Sequence, residues 1–125
     1  MKIELSVNGE DNTGCYLCVL GIAHNSKGEY DKAIDFYKRA LKIEVASLGE
    51  DHPNVATSYN NLGSAYGIKG DNDLAINYYE RALKIRVASL GEDHPDVAFS
   101  YNNLGVAYNS KGEYDKAILT TTNAL

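Results

Sequence analysis

Tryptophan is absent from the 125 residues, and cysteine, proline, phenylalanine and methionine are sparse, at 2, 2, 2 and 1. Two cysteines cannot make a disulfide scaffold, so the fold has to rest on an apolar core. A composition with 44% hydrophobic and 23% charged residues is ordinary for such a core. Positive charge is also short: Lys and Arg number 12 against 17 Asp and Glu, a formal charge of −5. A cationic face is hard to build from that balance, so neither nucleic acid nor an anionic membrane surface is an expected partner. No apolar run approaches the roughly 20 residues that cross a bilayer. The opening Met1-Lys2-Ile3-Glu4 sets an acid where a secretory segment is apolar, and a cytoplasmic location is the resulting expectation. The length suits one domain and excludes a multidomain enzyme.

Tyrosine and glycine, by contrast, are plentiful at 10 and 11, and they recur at one spacing. VASLGEDHP from Val45 to Pro53 returns letter for letter from Val87 to Pro95, and SYNNLG from Ser58 to Gly63 returns from Ser100 to Gly105, both 42 residues later. NSKGEYDKAI from Asn25 to Ile34 returns from Asn109 to Ile118, at twice that offset. A period of this size marks a solenoid, in which each unit buries its apolar face only by stacking on its neighbours. The units fall at about 12–51, 52–93 and 94–125 of a single domain over 1–125. Residues 1–11 resemble the tail of a preceding unit, because Lys2-Ile3-Glu4-Leu5 and Gly9-Glu10-Asp11 echo Lys42-Ile43-Glu44-Val45 and Gly49-Glu50-Asp51.

Within a unit the apolar spacing is helical. Val55, Tyr59, Leu62 and Tyr66 follow steps of four, three and four, which lie along one stripe of a helix A running from about Pro53 to Lys69. Pro53 suits the first turn and Gly70 the left-handed residue after the last. Ile34, Tyr37, Leu41, Val45 and Leu48 form the stripe of a helix B from about Tyr30 to Leu48, repeated as Ile76, Tyr79, Leu83, Val87 and Leu90. No stretch alternates with a period of two, so the expected class is all-α. Thr120, Thr121, Thr122 and Asn123 replace Tyr78, Tyr79, Glu80 and Arg81 in the last unit, and their poorer helix propensity predicts a short final helix.

Tyr59, Leu62, Gly63, Tyr66, Ala75, Tyr79 and Ala82, with Tyr101, Leu104, Gly105, Tyr108, Ala117 and Ala124, resemble the signature of the tetratricopeptide repeat (TPR). The unit exceeds the usual 34 residues by eight, and the Leu-Gly-Glu-Asp-His-Pro links (Leu48 to Pro53, Leu90 to Pro95) are similar to the kinesin light chain variety. The resemblance implies a TPR-type α-α superhelix, a right-handed solenoid of helical hairpins. Its first unit is degenerate, with Leu17 at the first aromatic position and His24 at that of Tyr66.

Catalytic chemistry is thin, and an enzyme is not expected. His52 and His94 sit in the repeated Asp-His-Pro links, where helix capping is the plain reading. Cys15 and Cys18 form a C-x-x-C pair, the spacing of half a zinc site or a redox couple. Structural zinc needs four ligands, and only His24 and scattered acids stand nearby; a redox pair of this spacing opens a helix after a strand. The pair reads as two small apolar residues in a degenerate unit, with metal or thiol chemistry as the alternative. Gly63, Gly67 and Gly70 follow no strand and make no phosphate cradle, while Gly63 and Gly105 read as points of close helix packing. No metal and no cofactor is expected.

With Tyr59, Leu62 and Tyr66 facing the core, the adjoining stripe of helix A faces elsewhere, and the resemblance assigns it to a concave groove. The candidate peptide-binding residues are Asn60, Ser64, Phe99, Asn102, Val106 and Asn109, with Thr57 and Gly67 beside them and Cys15, Cys18, Ile22 and Asn25 as their first-unit counterparts. Asn60 and Asn102 can each donate to and accept from an extended backbone. Phe99 and Val106 are apolar on a stripe that should be wet, which makes them anchor candidates. Asn61 and Asn103 are expected to hydrogen-bond between adjacent units. Chaperone-binding relatives clamp a terminal carboxylate with basic residues on helix A, and here the second and third carry only Lys69 and Lys111 at their ends. The expected function is a scaffold that holds a protein or peptide segment in the groove. The alternative is a structural unit that self-assembles head to tail through apolar ends, Leu5 and Val7 at one and Ile118, Leu119 and Leu125 at the other.

Overall fold

The computed structural model describes residues 13–125, less the side chains of Thr13 and Cys15. The expectations for residues 1–11, with Leu5 and Val7, and for the Cys15 thiol lie outside the described residues. Six helices follow one another: α1 (Thr13–Ser26), α2 (Tyr30–Leu48), α3 (Pro53–Lys69), α4 (Asn72–Leu90), α5 (Pro95–Lys111) and α6 (Tyr114–Thr122), with no strand among the described residues. Helix A is α1, α3 and α5; helix B is α2, α4 and α6.

Local chemistry sets the helix ends. The His52 and His94 Nδ1 atoms accept from the backbone N–H of Asn54 and Asp96, both at 3.1 Å, and the following Pro53 and Pro95 occupy the first turn. Gly70 and Gly112 close α3 and α5 with φ of 93° and 91°, a left-handed conformation that carries no Cβ penalty in glycine. The final helix, with its threonine run, spans the 9 residues Tyr114–Thr122.

Each helix packs on its chain neighbours, and α1 also meets α3, the arrangement of a stacked solenoid. Apolar clusters alternate along the stack. Ala33, Ile34 and Tyr37 of α2 pack with Leu62 and Ala65 of α3; Val55 and Ala56 of α3 pack with Ala82 and Ile85 of α4; Ala75 and Ile76 of α4 pack with Leu104 and Ala107 of α5. Inside a hairpin the closest approach is at glycine. A Cβ on Gly63 would lie 2.8 Å from the Tyr79 ring, and one on Gly21 would lie 2.5 Å from the Tyr37 ring. Between hairpins Lys69 pairs with Asp31 and Lys111 with Asp73, the same ion pair one unit apart.

Gly63→Ala is therefore expected to destabilise by about 1–3 kcal/mol, the range for overpacking, despite the better helix propensity of alanine. Gly67→Ala meets only Ala75 Cβ at an ordinary 3.6 Å, and it should be neutral or stabilising by up to about 1 kcal/mol. Urea melts of the two variants check the ranking. At the first hairpin turn, Glu29 accepts from His24 at 3.1 Å and pairs with Lys32 and Lys27, which hold its carboxyl down at about 2 from the ordinary 4.5. The folded state binds fewer protons there than the unfolded chain, so this contribution is present above pH 4.5 and lost as pH falls toward 2. Melts across that window should show a shallower acid limb in Glu29→Gln than in the unaltered chain.

Candidate functional site

The stripe of helix A that the hairpins leave uncovered differs from repeat to repeat. On α5 it is open: Phe99 and Val106 are 57% and 59% exposed, and Asn102 and Asn109 are also exposed. On α3, Thr57 is exposed, Ser64 and Gly67 are half-buried, and Asn60 is buried at 8%. On α1, Ile22 is 49% exposed, with Cys18 and Asn25 half-buried. Exposed Ile68 continues the apolar stretch beside Gly67.

Asn60 departs from the open position expected of it because Arg86 of α4 reaches across to it. With the amide turned so that its oxygen faces the guanidinium, Asn60 accepts from Arg86 Nη1 at 2.7 Å and Nη2 at 3.2 Å. Arg86 Nη1 also donates to Ser100 Oγ of α5 at 3.1 Å. One unit earlier, Glu44 of α2 holds the equivalent place with the opposite charge, accepting from Ser58 Oγ at 2.8 Å and lying 3.8 Å from Cys18 Sγ. Ser58 and Ser100 are completely buried, so these links give their hydroxyls charged partners in place of water, and Ser58 also lies 3.7 Å from Cys18 Sγ. Burial pushes the Glu44 carboxyl up and the Arg86 guanidinium down, since both charges are partly withdrawn from water. Asn61 and Asn103, expected to bridge the units, are half-buried, and the side-chain hydrogen bonds across the junctions come from Ser58, Ser100 and Tyr108 instead.

Ser64, Gly67, Ile68 and Tyr79 face Val106 and Ser110 across a cleft of about 260 Å³ between α3, α4 and α5. Gly67 opens it, because the first and third units carry Asn25 and Asn109 at that position. Sequence reasoning named Ser64 and Val106 but missed Ile68 and Arg86. The change from Glu44 to Arg86 beside the repeated Ser58 and Ser100 was the available signal for the latter. Lys69 and Lys111 are held by Asp31 and Asp73. Among the described residues no group of three or more His, Cys, Asp or Glu could hold a metal ion, and no helix is long and apolar enough to cross a membrane.

The family profile for the tetratricopeptide repeat matches residues 12–86 and 65–120. The chain belongs to the tetratricopeptide repeat family. Among solved structures it is similar to BtubC (BKLC) from P. vanneervenii, at 34% identity and a TM-score of 0.84 over 89% of this chain and 44% of that one. A Podosopora anserina putative kinesin light chain with nearly identical TPR-like repeats matches at 22% identity and a TM-score of 0.79, over 87% of this chain and 52% of that one. The second TPR of Spaghetti (RPAP3), bound to an HSP90 peptide, shares the fold at 17% identity and a TM-score of 0.68, over 90% and 89% of the two chains. This TPR chain spans about half the length of the kinesin light chain-like structures it matches. A search of the curated proteins found no match.

Because Asn60 is buried on a charged partner, Asn60→Ala is expected to cost about 1–3 kcal/mol. Asn102→Ala, on the exposed equivalent, should stay within about 0.5 kcal/mol. Guanidinium melts of both variants provide the comparison.

Proposed function

We propose that the chain is a non-enzymatic interaction scaffold that receives an extended peptide segment along the uncovered stripe of α3 and α5. The observation that carries this reading is the exposure of Phe99 and Val106 on α5 and of Ile68 on α3, with Val106 and Ile68 lining the Gly67 cleft. Apolar side chains left in water around a concave opening are the usual mark of a binding surface. Asn102 and Asn109 lie among them with both donor and acceptor free for a peptide backbone. TPR proteins in general mediate protein–protein contacts, and the Spaghetti domain is one that holds a peptide.

Charge gives the segment a polarity. Arg86 is half-buried and its hydrogen-bond partners, Asn60 and Ser100, are both neutral; the Asp96 carboxylate acts on it only through space, so an acidic side chain that bonds the guanidinium directly is favoured over the α3–α5 junction. Glu44 favours a basic or neutral side chain over the α1–α3 junction. Acidic, aromatic-containing segments are also what the resemblance to kinesin light chain suggests. A clamp for a terminal carboxylate is not favoured, because Lys69 and Lys111 are committed to Asp31 and Asp73.

A displayed library of random 12-residue peptides supplies the probe. Selected peptides should carry an acidic residue and an apolar one. Phe99→Ala and Asn102→Ala should each weaken their binding roughly tenfold, about 1.4 kcal/mol, with the melting temperature nearly unchanged. Arg86→Gln should weaken acidic peptides and flatten the salt dependence. Selection of basic peptides alone would remove the role given to Arg86, and binding indifferent to Phe99 and Asn102 would remove the groove.

A further inference from the structure

The two internal junctions between hairpins are built from the same pieces. At the first, Ile34 of α2 lies with Leu62 and Ala65 of α3, and Asp31 takes Lys69. At the second, Ile76 of α4 lies with Leu104 and Ala107 of α5, and Asp73 takes Lys111. The outer face of α5 and α6 repeats the receiving half of this junction in the open. Ile118 is 66% exposed where Ile34 and Ile76 are 7% and 9%. Asp115 occupies the place of Asp31 and Asp73. A groove of about 510 Å³ runs past Gly105, Val106, Ala117, Ile118, Thr121 and Leu125. Its counterpart one unit earlier is half that size, about 260 Å³, because Val106, Ala107 and Ser110 of α5 wall it in.

Helix α1 carries the matching wall. Ile22, Ala23 and Ser26 stand at the positions of Val106, Ala107 and Ser110, and all three are exposed. Leu20 is 38% exposed where its equivalents Leu62 and Leu104 are 0% and 5%. Lys27, at the position of Lys69 and Lys111, pairs locally with Glu29 as Lys111 pairs locally with Glu113. Lys111 makes its second pair with Asp73 from that same posture.

We propose that the outer face of α5 and α6 docks α1 of a second copy of the chain, head to tail. Ile118 then packs on Leu20 and Ala23 of the second copy, and Asp115 pairs with its Lys27. The occupant is a second copy because both the apolar pattern and the ion pair continue an interface that the chain already makes twice. The two faces differ, so the contact is heterologous and either closes into a ring or runs on as a filament. Such stacking also prolongs the row of A helices, setting Ile22 of one copy beside Val106 of the next.

Light scattering on the intact chain and on two variants, Ile118→Asp and Ala23→Asp, tests the contact, with circular dichroism confirming that each variant is helical. The intact chain should rise above 13.7 kDa as concentration increases from about 10 µM to about 1 mM. Each variant alone should remain at the monomer mass. An equimolar mixture should form a dimer and nothing larger, because it retains one intact face of each kind. Should Ala23→Asp lose helicity, Lys27→Asp replaces it; association weakens several-fold, and Asp115→Lys in the same chain restores it. The proposal is overturned if the intact chain is monomeric at about 1 mM, if the variants associate like the intact chain, or if the mixture stays monomeric while the intact chain associates.

Discussion

In the first two hairpins helix B meets helix A through an aromatic ring laid on bare helix backbone, at Gly21 and Gly63. Tyr37, 3% exposed, and Tyr79 lie where a Cβ would be, which lets helix B approach helix A more closely than any side chain would permit. That approach fixes which side of helix A each neighbour covers. On α3, Val55 and Ala56 pack with Ala82 and Ile85 of the hairpin's own helix B and with Leu41 and Val45 of the preceding one, while Leu62 and Ala65 pack with Ala33, Ile34 and Tyr37 of the preceding helix B and with Tyr78 of their own. One stripe is left without a helix to cover it. The groove is thus a residue of the packing, and its position is set by two glycines that never face it.

Where two hairpins meet, the fold has to bury Ser58 and Ser100, and each takes a long charged side chain from the preceding helix B as its partner. The charge itself is interchangeable, since Glu44 and Arg86 do the same work with opposite sign. A hydroxyl can donate to a carboxylate or accept from a guanidinium, so the geometry of the junction is indifferent to which one arrives. Lys38 and Glu80 repeat the theme against Tyr66 and Tyr108: the ammonium lies over one ring, and the carboxylate accepts from the other phenol at 2.9 Å. The stack therefore sets where charges stand and leaves their signs open, and the signs give each junction its own field.

This division explains what could be read from the sequence. The bounds of α2 and α3 were legible because Pro53, Gly49 and Gly70 punctuate the chain through backbone constraints that act locally. The close packing at Gly63 was legible because a repeated glycine inside a helix needs a steric reason. The burial of Asn60 was not. Its cover comes from Arg86, on the other helix of the hairpin, and stripe reasoning considers one helix at a time. Helix α3 is buried on several sides, so its buried residues, Ser58 and Asn60 among them, do not gather on one clean face. The α5 stripe follows the pattern better, with Phe99, Asn102, Val106 and Asn109 all exposed.

The same comparison between units separates what packing needs from what it tolerates. Thr57 and Phe99 occupy one position, Ser64 and Val106 another, and Ser110 and Ile68 a third. The hairpin folds with a polar or an apolar residue at each, so the core does not choose between them. Leaving Phe99, Val106 and Ile68 more than half in water forgoes over half of the roughly 25 cal/mol per Å² that full burial would return. Between α3 and α5 the buried positions Val55 and Val97, or Leu62 and Leu104, repeat without change. An apolar residue at a position where the core is indifferent is available for a contact outside the hairpin, and the proposal of a partner on this stripe rests on three such residues occurring together.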